Sequence, residues 1–286
     1  MLIKRNIALF FRDRASVFFS LLGALLILML YALFLGDMME AGLRANLGFD
    51  SDQIRPAMAS IILAGMVAVT SVTGCLGAME TRVEDRGAAG RDFLTSPISR
   101  GKLTRSYMLG TAVVGFLLTL ITLILSMIYI AAIGGQMPNA TDLGRLAITV
   151  VLSTLCANAM MFLATSLIKS SGAYSSMSAV VGALIGFIMG IYIPIGTLPG
   201  TVQWVVRLFP MSHAGSMFRQ IMADGPLQAL FAYAPPEALA EFQEMYGIVL
   251  VYGGYTSGFW FSAAVLAVTT VVFYALSVAV VRRQRG

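Results

Sequence analysis

Six stretches of the chain contain no Asp, Glu, Lys, Arg or His: residues 17–36, 56–79, 107–133, 146–168, 170–195 and 259–281. Each has about 20 residues or more, the length of helix that crosses ~30 Å of hydrocarbon. A charge at the centre of such a helix would cost ~2.5–3.5 kcal/mol on insertion scales, and none of the six carries one. The pattern predicts an all-α polytopic membrane protein with six transmembrane helices. Between the runs lie residues 1–16, a charged stretch at 80–106, and a long loop at 196–258.

The segments outside the runs have patterns of their own. In 1–16, Ile3, Ile7 and Phe10 recur at helical spacing with Arg5 and Arg12 on another side, while Leu2 and Leu9 break the polar face. This fits either an interfacial helix on the inner leaflet or a basic flank that fixes topology. The run after it is too long for a signal peptide and no small-x-small cleavage site follows, so it is read as a retained first span. In 196–258, Val202, Val205, Val206 and Phe209 follow i, i+3, i+4, i+7 spacing between Pro199-Gly200 and Pro210. Ser212 is placed to cap a second short helix running to about Ala223, stopped by Asp224-Gly225-Pro226. Both pieces are too short to span. They are expected as re-entrant or interfacial helices before the last span, shielding the outer end of a path. Pro235-Pro236 opens a third amphipathic stretch with Glu237, Glu241 and Glu244 on one face and Leu239, Phe242 and Tyr246 on another.

Composition agrees with the pattern. Apolar residues are 58% of the chain, charged residues 12%, and mean hydropathy is +0.84, which excludes an ordinary soluble domain. Six spans put both termini on one side. That side holds fourteen Lys and Arg and five Asp and Glu, a net +9; the other holds five basic and nine acidic residues, a net −4. By the positive-inside rule the N- and C-termini are cytoplasmic. The basic balance therefore reflects orientation, since no basic stretch is interleaved with exposed aromatics as nucleic-acid binding requires. Cys75 and Cys156 both fall inside spans and read as packing residues, with no disulfide or zinc spacing.

Several chemistries are missing. No phosphate-cradling Gly-x4-Gly-Lys-Ser/Thr loop, His-Glu-x-x-His or Gly-x-Ser-x-Gly occurs, and the one histidine, His213, is in the long loop. The spans lack the ionisable residues that ion-coupled carriers usually need, although backbone carbonyls can also bind sodium. What remains is a membrane body without its own energy source. The polar residues inside the spans are candidates for helix–helix glue or for a path: Thr70 and Thr73 in the second span, Asn158 in the fourth. In the fifth, Ser178, Gly182, Gly186 and Gly190 recur every four residues, a groove for close approach of another helix.

Three segments together resemble the six-span permease subunit of ABC exporters of the second integral-membrane type. The stretch from Glu84 to Arg100 is similar to that family's cytoplasmic loop: an acidic-basic start, a Gly, a short helix, then Ser96-Pro97-Ile98-Ser99-Arg100. The stretch from Pro194 through Pro199, Phe209-Pro210-Met211-Ser212-His213 and Phe218-Arg219 is similar to its fifth-span exit and two short external helices. Lys4-Arg5-Asn6 to Phe11-Arg12-Asp13 looks like its N-terminal interfacial helix. The likeness covers nearly the whole chain.

The resemblance implies a non-catalytic half-transporter: two permease copies, as a homodimer in membrane lipid, with two soluble nucleotide-binding subunits that carry MgATP. The 80–106 loop would hold a coupling helix at about Glu84–Thr95. Phe93 and Leu94 would anchor it, with Glu84, Asp85, Arg86 and Asp92 as its polar rim. Gly87 and Arg100 would belong to the same motif, Pro97 would end the helix, and the turn Lys169–Ala173 would make a smaller contact. Second- and fifth-span residues would line the path near the dimer axis. A path without charges suits a hydrophobic or amphipathic cargo such as a drug, toxin-like peptide or lipid. Export of polysaccharide, or ion-coupled secondary transport, are the alternatives. The resemblance places the chain in the cell membrane of a prokaryote.

Overall fold

A computed structural model describes residues 2–47, 51–85, 100–168 and 170–283. Helix α1 (Leu2–Arg12) stops at Asp13, whose carboxylate accepts from the backbone N–H of Ala15 (3.0 Å) and Ser16 (3.3 Å) and so caps α2 (Arg14–Leu30). The helix continues through a π-turn at Tyr31–Leu35 into α3 (Gly36–Leu47). The second run forms α4 (Ile54–Ala78), followed by the short α5 (Glu80–Glu84). Then come α6 (Arg100–Ala132), α7 (Ala140–Leu167) and α8 (Ser171–Ile188), the last two capped by Asn139 and Ser170. After a 3-10 turn at Ile195–Thr197 follow α9 (Gly200–Leu208), α10 (Pro210–Met222), α11 (Asp224–Leu230) and α12 (Pro236–Met245). A small antiparallel hairpin, β1 (Val251–Tyr252) with β2 (Tyr255–Thr256), precedes α13 (Phe259–Arg283).

Six of these segments are long and apolar enough to cross a membrane: Arg14–Ala45, Ile54–Glu84, Gly101–Ala132, Ala140–Leu167, Ser171–Ile188 and Phe259–Val281. They are the six charge-free runs, and the chain is a six-span helical membrane protein. The first helix extends well past its run, carrying Asp37, Glu40 and Arg44. Glu40, nearly buried, faces Arg55 at 3.6 Å and Arg44 at 3.8 Å.

Helix α4 is the axis of the chain. Nearly all its side chains are buried, against α2, α6, α7 and α10. By contrast α2, α8 and α13 keep most of their surface exposed. Helix α10 is too short to span, yet all of it except Pro210 and Gln220 is buried, among α4, α7 and α13. A second apolar cluster joins Leu43 and the first turns of α4 (Ile54, Met58, Ile61) to Leu227, Leu230, Phe231, Phe242 and Ile248. The 196–258 segment is therefore a folded cap seated on the ends of α3 and α4.

Two local features depart from the periodicity. The fifth run is charge-free to residue 195, but α8 ends at Ile188. There Gly190 adopts φ +63, its N–H bonds Phe187 O (3.0 Å), and Ile191 N–H bonds Gly186 O (3.0 Å). This pair is the Schellman arrangement, which stops a helix at a glycine. Gly190 is thus a helix terminator, off the helical face to which its spacing assigns it. In α9, the expected apolar stripe buries Val206 only; Val202 and Val205 are exposed.

Candidate functional site

The described part of the 80–106 segment is its root, and four helices fasten it. Arg82 lies buried beside the last turn of α7. Its guanidinium donates to Thr165 Oγ1 and Ser166 Oγ, both at 3.0 Å, and stacks 3.8 Å over the Phe162 ring. A cation at a helix C-terminus also meets the negative end of the helix dipole. Three residues on, Asp85 accepts from Arg5 Nη2 of α1 at 2.9 Å and from the Tyr107 hydroxyl of α6. Tyr174 of α8 donates to Leu76 O, just before the root. A displacement of this segment therefore pulls on α1, α6, α7 and α8 together.

Of the residues expected in the coupling loop, Asp85 is thus engaged and Glu84 is exposed at the end of α5. Arg100 begins α6. Arg86, Gly87, Asp92, Phe93, Leu94 and Pro97, and with them most of the expected Glu84–Thr95 helix, lie outside the described residues, as does Lys169. Arg82 stands outside the motif that the resemblance marks. Its signal is an arginine within one turn of the apolar run's end, facing the Thr165-Ser166 pair.

The polar residues of the spans fall inside the chain's own packing. Asn158 accepts from Thr111 Oγ1 (2.7 Å) and donates to Met108 O (3.1 Å), joining α7 to α6. Thr70 is fully buried and donates to Met66 O; Thr73, half-buried, donates to Val69 O. On α8, Ser178 is half-buried and Gly182 faces open space. A Cβ on Gly186 would enter the Tyr192 ring, and one on Gly190 would lie 2.7 Å from Ile195. The chain's own return after α8 fills that half of the glycine stripe.

The cap holds two further polar centres. Arg219 of α10 is 1% exposed and donates only to backbone carbonyls: Nε to Ile61 O (3.2 Å), Nη1 to Gly247 O (3.4 Å), and Nη2 to Met189 O and Gly190 O (3.4 Å). Burial pulls its pKa down, to about 10, so it stays a cation at neutral pH. It occupies the space left by Gly65, where a Cβ would lie 2.8 Å from Nη2. His213 lies between Ser262 Oγ (3.1 Å from Nδ1) and the Tyr252 hydroxyl (3.0 Å from Nε2). Tyr252 uses its proton on Arg207 O at 2.6 Å, so Nε2 carries the ring proton and Nδ1 accepts from Ser262. Burial lowers the His213 pKa to about 4, and the ring is neutral. The His213–Ser262 pair is sealed in the fold, with both side chains buried, and no group of three or more His, Cys, Asp and Glu suited to a metal occurs among the described residues.

No curated protein matches the chain. A family model does, over residues 45–279, from the end of α3 to the last turns of α13, and its description is ABC-2 family transporter protein. With six spans and a match over most of its length, the chain belongs to the ABC-2 family of transporter proteins as a multi-pass membrane permease component.

Proposed function

We propose that this chain is the translocation subunit of an ATP-driven exporter whose cargo is hydrophobic or amphipathic, with hydrolysis on a separate soluble subunit. The observation that carries the reading is the fastening of the loop root: Arg82 to α7, Asp85 to α1 and α6, and Leu76 to α8. A loop that receives force from an ATPase needs such a root, because an unanchored loop would move without moving the spans. Phe93 and Leu94 are its apolar anchor on the ATPase, ringed by Glu84, Asp92 and Arg86. The net +9 side supports a cytoplasmic position for this loop and both termini, and the resemblance implies the cell membrane of a prokaryote. The 196–258 cap then lies outside, with α10 re-entering the bundle from that face.

Two copies of the chain meet about a twofold axis. The mostly exposed α8 supports this, with Gly182 open and Val180, Leu184 and Phe187 outward. ATP-driven closure of the soluble pair rocks the two copies as rigid bodies between inward- and outward-facing states.

The test is gentle solubilisation of tagged protein from its native membrane and mass spectrometry of what accompanies it. A stoichiometric soluble protein with a Walker motif, lost with Phe93→Asp, is the expected result. Permease alone, with transport that persists after ATP depletion, overturns the reading in favour of a secondary carrier.

A further inference from the structure

Helix α9 is amphipathic with its polarity inverted. Its two long polar side chains point into the protein: Gln203 Nε2 donates to Gly196 O (3.1 Å) and Leu198 O (2.9 Å), and Arg207 Nη2 donates to Gln203 Oε1 (2.9 Å) and Glu244 Oε1 (3.1 Å). Beyond Thr201 in its first turn its outward face is apolar, with Trp204 50%, Val205 59% and Leu208 70% exposed. A helix bathed in water places these sets the other way round. The solvent that accepts an apolar outer face and leaves the polar face to the protein is lipid.

What covers this face follows from its continuity with the last span. Trp204 meets Tyr252 edge-on (6.4 Å between ring centroids), Tyr252 meets Phe261 (6.0 Å), and Phe261 meets Tyr255 (5.2 Å). Trp260, 68% exposed, stands beside Phe261 in the first turn of α13. The chain has two tryptophans, and both lie on this aromatic level. Below it α13 packs on α7 and α10 and is otherwise open, with Val268, Val271, Val272 and Leu276 exposed. A second copy could cover one side of such a helix; bilayer covers the remainder. Tryptophan and tyrosine gather where the headgroups meet the acyl chains.

We propose that α9, the hairpin and the first turn of α13 form a lipid seat, with α9 lying in the membrane plane at the headgroup–acyl boundary. The nearby cations are already engaged: Arg207 on Glu244, and Arg145 beside Asp142 (3.7 Å) and over the Phe259 ring. The seat therefore recognises the apolar boundary and needs no anionic headgroup. It also has a mechanical consequence. Only Phe209 separates α9 from Pro210, where the buried α10 begins, so lipid holds the entry point of α10.

The seat rests on the six spans alone and is independent of any ATPase. Its test uses the protein reconstituted in phosphatidylcholine vesicles, with Trp260→Phe leaving Trp204 as the single fluorophore and Trp204→Phe leaving Trp260. Lipid brominated close to the glycerol backbone is expected to remove most of the emission of each. Lipid brominated near the chain terminus, and iodide in the water, are expected to remove much less. Trp204 quenched mainly by iodide would place α9 in water and overturn the seat. Trp204 protected from both quenchers would mean that a second copy or another protein covers it, which overturns the seat equally. If a variant fails to reconstitute, the unsubstituted protein still decides: the seat requires shallow bromine to quench both tryptophans, and a large unquenched fraction refutes it.

Discussion

Replacing Arg219 with methionine is expected to cost about 3–5 kcal/mol of stability, in the range for removing one side of a buried charged network. The guanidinium donates to four carbonyls. Ile61 O keeps its helical partner, but Met189 O, Gly190 O and Gly247 O are left without this donor. Each orphaned buried acceptor costs about 1–3 kcal/mol, and relief from burying a cation offsets part of the total. Gly65→Ala approaches the same point from the other side. Its Cβ would lie 2.8 Å from Arg219 Nη2 and 2.9 Å from Ile191 Cγ1. The arginine tip cannot swing away without breaking its bonds, so overpacking of ~1–3 kcal/mol outweighs the ~1 kcal/mol that alanine gains in helix propensity. Methionine at 219 has a free end, so in the double variant the cost of Gly65→Ala should shrink by about 1 kcal/mol or more, a coupling typical of touching side chains. Unfolding in detergent can be followed with a thiol-reactive fluorophore, because Cys75 and Cys156 are both fully buried. Arg219→Met should lower the midpoint by roughly 10 °C. A midpoint within a degree or two of the unsubstituted protein would refute the role given to Arg219. Strict additivity of the two substitutions would refute the contact with Gly65.

His213 should make the cap acid-sensitive. Its pKa falls from the ordinary 6.5 to about 4 on folding, so the unfolded chain binds the proton more readily. The stability this represents is complete above about pH 6.5 and drains away towards pH 4, by up to about 3 kcal/mol. Unfolding midpoints measured across that window should flatten in His213→Gln; an equal slope in both proteins would assign the pH effect elsewhere. Asn158→Ala and Thr111→Val should each destabilise, with a coupling of about 0.6–2 kcal/mol in a double-mutant cycle, and zero coupling would contradict their hydrogen bond. Gly186→Ala should destabilise by collision with the Tyr192 ring and recover with Tyr192→Ala; no recovery would mean a second copy is the obstacle. Arg82→Met should leave an ATPase partner bound while abolishing cargo-stimulated hydrolysis, measured in reconstituted vesicles. Unchanged stimulation would remove Arg82 from the coupling route.

Much of this architecture is legible because the solvent is lipid. Exclusion of charge from ~30 Å of hydrocarbon writes six spans directly into the sequence, and proline punctuation places the start of α12 at Pro236, whereas α10 starts at Pro210, two residues before the expected cap Ser212, which lies buried inside the helix and caps nothing. Helix α9 was legible as a helix but not in its orientation. The stripe Val202–Val205–Val206–Phe209 does not by itself say which side faces inwards, and here Gln203 and Arg207 take the inner side. The glycine stripe misled in a similar way. Spacing alone cannot tell four small residues on one helix from three on a helix and a glycine that ends it, since the φ of Gly190 depends on what receives the carbonyls around it.

That dependence explains why a chain with no charge in its six runs still buries an arginine. Helix α8 has 18 residues and so reaches about 27 Å, slightly less than the hydrocarbon thickness. Its Schellman turn satisfies the carbonyls of Gly186 and Phe187 and leaves those of Met189 and Gly190 pointing away from the helix. Buried without a donor, each such carbonyl would cost several kcal/mol. A donor must come from the protein, and one side chain with five N–H groups in a rigid fork can serve two adjacent carbonyls and reach others. Arg219 does this, which requires α10 to lie inside the bundle, Gly65 to yield space, and Gly247 to come close enough to share the charge. The short fifth span, the buried tenth helix and the glycine in the middle of α4 are therefore one structural solution, and a change at any of the three should be felt at the other two.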